Sequence, residues 1–173
     1  AIKKIAAALG ELNERVVYVG GALVSLYIND PSADDVRPTA DLDISMEIAS
    51  VGELEKIREE LTQKGFVQKA EDKIVCRFNY EGIKVDVMAT EQIGWTPANI
   101  WFKPGFNYLQ KVKVDEQQIR ILSLDYFLAT KISAFNEREK KEPRSSKDLE
   151  DISYTLDNRI DLVEQVSQSP KDV

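Results

Sequence analysis

Apolar positions alternate with polar ones in some stretches of this chain and recur every three or four residues in others, and the two periods divide it into strands and helices. Ile5, Leu9 and Leu12 stand at helical spacing and predict a helix over residues 2–13. Residues 16–19 are a short apolar run that reads as a buried strand. Gly20-Gly21 then opens a helix over 22–28, and residues 29–40, with Pro31 and Pro38 among polar groups, read as a loop. Residues 41–46 form the next strand, with Leu42, Ile44 and Met46 on one face and Asp41 and Asp43 on the other. An amphipathic helix follows over 50–64. Ser50 caps it with Glu53 at the capping-box spacing, Leu54, Ile57 and Leu61 form its stripe, and Gly65 ends it.

Residues 74–80 and 83–88 predict a hairpin turning at Glu81-Gly82. Residues 90–107 hold both tryptophans, Trp95 and Trp101, with Pro97 and Pro104, and read as a partly ordered loop over a cleft. A second hairpin, 108–114 and 118–121, turns around Asp115-Glu116. Ser123 caps a long helix to residue 138 with Leu124, Phe127, Leu128 and Phe135 facing inward; a charged loop runs to Pro143, and helices close the chain over 145–156 and 160–166. A mixed sheet comes first and helices come last, so the class is α+β. Residues 1–122 are expected to form the core and 123–173 a helical part packed on it within one unit.

Composition narrows the chemistry. The 43% hydrophobic content of the 173 residues supplies a core, and the net charge of -7 argues against a surface that binds nucleic acid everywhere, though not against a local basic patch. The single cysteine, Cys76, excludes an intrachain disulfide and fits a reducing compartment; it sits in a strand-like run as a small core residue. The chain has no histidine, which excludes Ser-His-Asp triads, Cys-His pairs and histidine-bearing zinc sites. No apolar run reaches transmembrane length and no cleavable signal is visible, so a cytoplasmic location without a membrane partner is expected.

Carboxylates carry the remaining signal. Asp41 and Asp43 share a strand face, and like charges so close call for a cation. Asp86, in the strand-like run 83–88, is a third metal-ligand candidate or a general base; a cross-strand ion pair on an exposed face is the plainer alternative. Mg²⁺ suits an all-oxygen site that also takes phosphate oxygens. Gly20-Gly21 lets backbone approach a phosphate, and fits an ordinary tight turn equally. Lys131 falls on an apolar stripe and must either reach out along its stem or meet an anion, for which triphosphate is the obvious choice. Asp148 and Asp151 lie one turn apart beside a stripe of Leu149, Ile152 and Leu156; they compensate a helix dipole, or Asp148 pairs with Lys131. Arg138, Lys140, Lys141, Arg144 and Lys147 form a diluted basic cluster that reads as a solvated loop or as a contact to a polyanion such as RNA.

Taken together, Val-Tyr-Val-Gly-Gly-Ala-Leu at 17–23, Arg-Pro-Thr-Ala-Asp-Leu-Asp-Ile at 37–44 and Val-Asp-Val at 85–87 resemble the signature of the DNA polymerase β-like nucleotidyltransferase superfamily. Leu-Ala-Thr-Lys-Ile-Ser-Ala-Phe at 128–135 and Ser-Ser-Lys-Asp-Leu-Glu-Asp-Ile at 145–152 are similar to the AbiEii-type toxins of abortive-infection and type IV toxin–antitoxin systems. The resemblance implies a short mixed sheet flanked by helices, with a helical C-terminal part closing the cleft. It also implies that Gly20 and Gly21 shape a triphosphate loop, that Asp41 and Asp43 hold Mg²⁺ or Mn²⁺, and that Lys131 meets the phosphates with Asp148 as its acidic partner. Arg37 and Thr39 join the nucleotide-binding candidates. The glycine motif departs from the Gly-Ser of many superfamily members, with Gly20-Gly21-Ala22 offering no hydroxyl.

The expected activity is metal-dependent transfer of a nucleotide from an NTP to an acceptor hydroxyl deprotonated near Asp86, with Asp41, Asp43, Asp86 and Lys131 as the catalytic set. The acceptor is left open among tRNA or other RNA, a protein and a small molecule, and an antitoxin protein is an expected partner. The rival is a catalytically silent nucleotide-binding or partner-binding module on the same scaffold.

Overall fold

Six strands hydrogen-bond into one mixed sheet in the order β3-β4-β2-β1-β6-β5: β1 (Val17–Val19), β2 (Asp41–Met46), β3 (Arg77–Tyr80), β4 (Ile83–Ala89), β5 (Leu109–Val114) and β6 (Gln117–Leu122). The computed structural model describes residues 1–72, 74–139, 145–171 and 173, with 138 and 139 by backbone alone. β1 runs parallel to β6 and antiparallel to β2, and β2 runs parallel to β4. With the two hairpins β3–β4 and β5–β6, this is the α+β class that the order of elements predicts.

Alternation sorts the two faces. Phe78, Val85, Leu42, Ile44, Tyr18 and Ile121 all point into one main core, which the helices α1 (Ile2–Leu9) and α3 (Val51–Gln63) cover with Ile5, Leu9, Leu54, Ile57 and Leu61. Each such side chain, fully removed from water, contributes about 1.5–3 kcal/mol. The opposite face carries a smaller apolar cluster at one end, where Val17, Val19 and Leu122 meet Phe102 and Tyr126. At the other end of that face stand the charges of the site.

The ends of α3 follow local rules. Ser50 Oγ accepts from Glu53 N at 3.1 Å and Glu53 Oε2 accepts from Ala49 N at 2.9 Å. Gly65, at φ +88, lets Phe66 N reach Leu61 O at 3.0 Å and Gly65 N reach Thr62 O at 3.0 Å, which satisfies the last carbonyls. Both hairpins turn where expected: Glu81 and Gly82 have φ +45 and +86, and Asp115 has φ +52.

Several boundaries differ from the periodicity. The first helix breaks after Leu9, where Gly10 takes φ +57, and Gly10–Arg15 continues as a tighter 3₁₀ helix. The helix after the glycine pair is a 3₁₀ turn, Gly21–Leu23, and one α-turn, α2 (Val24–Tyr27). The strand expected over 74–80 begins only at Arg77, and Cys76 sits buried in the turn before it. The 90–107 connection contains a short helix, α4 (Phe102–Gly105). It is pinned by Trp95 Nε1 to Glu55 Oε1 at 2.9 Å and by Asn99 Nδ2 to Thr130 O at 3.2 Å.

α5 (Leu124–Ala134) ends in a π-helical turn, Phe135–Glu139. Ser123 stands at its N-cap position, but its hydroxyl bonds to Asp125 instead of to the helix backbone. The closing helices are α6 (Lys147–Asn158) and α7 (Leu162–Ser167). α6 buries only part of the expected stripe: Ile152 faces inward as expected, but Leu156 is 46% exposed, and Asp148, Asp151 and Thr155 take the inward face beside Ile152. The 29–40 loop is fastened along this helix, with Asn29 N and Asp30 N on Asn158 O and the Tyr154 hydroxyl on Asp34 O. No helix among the described residues is long and apolar enough to cross a membrane.

Ile44 is fully buried in the central strand, so Ile44→Ala is expected to cost about 3 kcal/mol in urea denaturation. Ser50→Ala removes one cap bond and is expected to cost about 1 kcal/mol in the same measurement. Equal losses in the two variants would contradict this account of the core.

Candidate active site

Register brings the charged positions of β2, β3 and β4 into one row. Arg77 pairs across the ladder with Asp86, Asp86 with Asp43, and Asp43 with Val19, the last residue of β1. Gly20 follows at φ +82. A β-carbon there would come within 2.1 Å of Asp43 Oδ2, so glycine is what allows the Asp43 carboxylate to lie against the end of β1. A β-carbon on Gly21 would fall 2.7 Å from Asp151 Oδ2 and 3.2 Å from Arg37 Nη2. The two glycines thus make room for one aspartate from the sheet and one from α6.

Asp86 is 8% exposed and is gripped as a fork by Arg77: Nε to Oδ1 at 2.7 Å and Nη2 to Oδ2 at 2.7 Å. Arg77 Nη2 also reaches Asp41 Oδ2 at 3.3 Å. The hydrogen bonds to Asp86 hold the guanidinium protonated more firmly than usual, against the opposing effect of burial. The ion pair foreseen as the plainer account of Asp86 therefore exists, but it lies inside the cleft and not on an exposed face. Among the described residues no three acidic side chains are grouped so as to hold a metal ion. The expected trio divides into Asp41 and Asp43 on β2 and an Asp86 engaged by arginine.

Cys76, next to Arg77, has its thiol pushed up to about 11 by burial, with the charges of Asp86 and Asp43 adding to the effect. It is a protonated core thiol and not a nucleophile.

Across the cleft, Lys131 extends from α5 with only 8% of its side chain exposed. Its Nζ donates to Asp148 Oδ1 at 3.0 Å and to Asp151 Oδ2 at 2.7 Å. Asp151 also accepts from Arg37 Nη2 at 2.9 Å, and Arg37 Nε lies 3.3 Å from Glu150 Oε2. Ser146 caps α6, its Oγ accepting from Leu149 N at 3.0 Å. Charge pairing brings two aspartates onto the buried face of this helix, because a buried ammonium needs carboxylates beside it.

The space between these walls is a cleft of about 590 Å³. Gly20, Gly21, Arg37, Thr39, Asp41, Asp43, Asp86, Lys131 and Asp148, the residues expected to bind nucleotide or metal or to act in catalysis, line it. Pro97, Asn99 and Phe102 of the tryptophan-bearing connection close a further side. Of the basic cluster, Lys147 is exposed at the mouth; Lys140, Lys141, Arg144 and the side chain of Arg138 lie outside the described residues. Sequence reasoning missed Arg77, whose partner is visible only once strands are paired, and the central place of Asp151.

Residues 5–168 match the family described as nucleotidyl transferase AbiEii toxin of type IV toxin–antitoxin systems. The chain belongs to this family. Its fold is shared by solved nucleotidyltransferase structures. An antigenic nucleotidyltransferase-like protein from Paracoccidioides brasiliensis superposes with a TM-score of 0.54 at 18% identity, covering 88% of this chain and 72% of the other. The antibiotic-resistance factor ANT(2'')-Ia superposes with a TM-score of 0.56 at 18% identity, covering 96% and 85%. No curated protein sequence matches the chain. Membership of the AbiEii family makes nucleotidyl transfer the chain's activity class.

Lys131→Ala removes the cation that Asp148 and Asp151 share, and is expected to lower stability by on the order of 3 kcal/mol in chemical denaturation. A loss within 0.5 kcal/mol or so would show that the pair is solvated. The raised Cys76 pKa predicts that at pH 8 the folded chain reacts with iodoacetamide about 100-fold more slowly than the urea-unfolded chain, from thiolate fraction alone. The rate should climb as pH approaches 11; reaction at the ordinary thiol value of 9.0 would contradict the burial.

Proposed function

We propose that this cleft binds an NTP with a divalent ion, Mg²⁺ or Mn²⁺, and transfers the nucleotide to an acceptor hydroxyl with release of pyrophosphate. The observation carrying this reading is that one cleft gathers two carboxylates on β2, a glycine pair beside them and a buried lysine opposite, from segments far apart in the chain. Asp41 and Asp43 suit such an ion: Mg²⁺ is commonly held by one or two carboxylates together with substrate phosphates. When bound, it would neutralise charge on the phosphates and steady the leaving pyrophosphate. Gly20 and Gly21 present bare backbone to the triphosphate, and Lys131, held in place by Asp148 and Asp151, faces it from α5. Arg37 and Thr39 flank the nucleotide from the loop before β2. Such transfer rests on positioning and electrostatics, so the absence of histidine is no obstacle.

Family membership supports a toxin role with an antitoxin as partner. The acceptor is an RNA, a protein hydroxyl or a small molecule, the last in keeping with an antibiotic-resistance factor on the same fold. Incubation with each α-labelled NTP, Mg²⁺ and, in separate arms, total RNA, RNA-free lysate protein and a panel of small-molecule antibiotics is expected to label one class. Asp43→Ala should reduce that labelling at least about 100-fold while the circular dichroism stays native. Undiminished labelling in Asp43→Ala, or nucleotide binding without pyrophosphate release in every arm, would overturn the reading in favour of a silent nucleotide-binding module.

A further inference from the structure

Arg77 has no part in the reading above, yet it occupies the cation position of the acidic row. Its guanidinium engages both oxygens of Asp86 at 2.7 Å and touches Asp41 at 3.3 Å, with 12% of its side chain exposed. The position is built into the sheet: Arg77 and Asp86 are direct partners across the β3–β4 ladder, and Asp86 and Asp43 across β4–β2. A planar fork on a carboxylate takes a lone pair of each oxygen and neutralises the charge that would otherwise draw a metal ion. Asp86 is also the most buried of the three acids, which makes release of its partner costly.

We propose that Arg77 stands in for a second metal ion, so that this site takes a single divalent cation on Asp41 and Asp43, with Asp86 serving as the anchor of Arg77 and not as a metal ligand. Arg77 is then a positioning residue: it supplies fixed positive charge beside the metal-binding pair and keeps Asp86 out of the coordination shell. The inference rests on the nucleotidyl-transfer reading, and concerns how many ions that site holds.

The test is Mn²⁺ titration of the full chain, followed by electron paramagnetic resonance and calorimetry, with and without a non-hydrolysable NTP analogue. Wild type is expected to bind one Mn²⁺ per chain with nucleotide present. Asp86→Asn should still bind one Mn²⁺ per chain with nucleotide present, whereas loss of a ligand of that ion would leave it unbound at concentrations that saturate wild type. Arg77→Gln, which frees Asp86, should bind a second Mn²⁺, and Arg77→Lys, which keeps the charge, should stay at one. Two ions in wild type, no ion bound by folded Asp86→Asn, or a single ion in folded Arg77→Gln would each overturn the inference. If Arg77→Gln does not fold, Asp86→Asn decides. Wild type binding the analogue with two ions sinks this inference alone; wild type binding neither analogue nor Mn²⁺ sinks the functional reading with it.

Discussion

Lys131 is enclosed by Asp148 and Asp151 at 3.0 and 2.7 Å, and that enclosure determines where the C-terminal helices can lie. An ammonium group taken out of water must keep its counter-ions, and both are on α6, one turn apart. α6 is therefore registered against α5 by charge, not by an apolar stripe. Asp151 passes the constraint on to Arg37, Arg37 positions the loop before β2, and β2 carries Asp41 and Asp43. Loosening of the lysine would be felt at the opposite wall of the cleft.

The sheet contributes a second constraint of a different kind. Its residues alternate so that Leu42, Ile44 and Met46 lie wholly within the core while Asp41 and Asp43, between them, face the cleft. A slip of one residue in β2 would exchange the two sets and cost several buried side chains at once. The strength of the core thus enforces the position of the acids, although the acids gain nothing from the core themselves. Gly20 completes the arrangement by leaving Asp43 the space that a side chain would fill.

Much of this was legible in the chain, and what was not has physical causes. The β2 acids were readable because a period of two needs only adjacent residues. The caps of α3 were readable for the same reason, since Ser50, Glu53 and Gly65 act within one turn. Arg77 was not, because its meaning lies in β3–β4 and β4–β2 pairing, which no local pattern states. Asp148 was readable as a partner of Lys131, and that pair exists, but Asp151, which shares the lysine, looked like an ordinary acid at a helix start. Ranking Leu149, Ile152 and Leu156 as the buried stripe assumed that burial follows hydrophobicity, and Leu156 is instead half exposed beside fully enclosed aspartates. The truncated first helix reflects Gly10 in a left-handed conformation that helical spacing alone does not reveal.

The bond from Arg37 to Asp151 spans 114 positions, and the loop that bears Arg37 is tied again at Asn158, the last residue of α6. A ribosome delivers this chain from its N-terminus, so Asp41, Asp43 and the glycine pair emerge long before the helix that secures their surroundings. Until α6 clears the exit tunnel, the growing polypeptide has a sheet but no fourth wall and no anions to retain Lys131. Translation itself therefore withholds the finished cleft until Asn158 has left the tunnel.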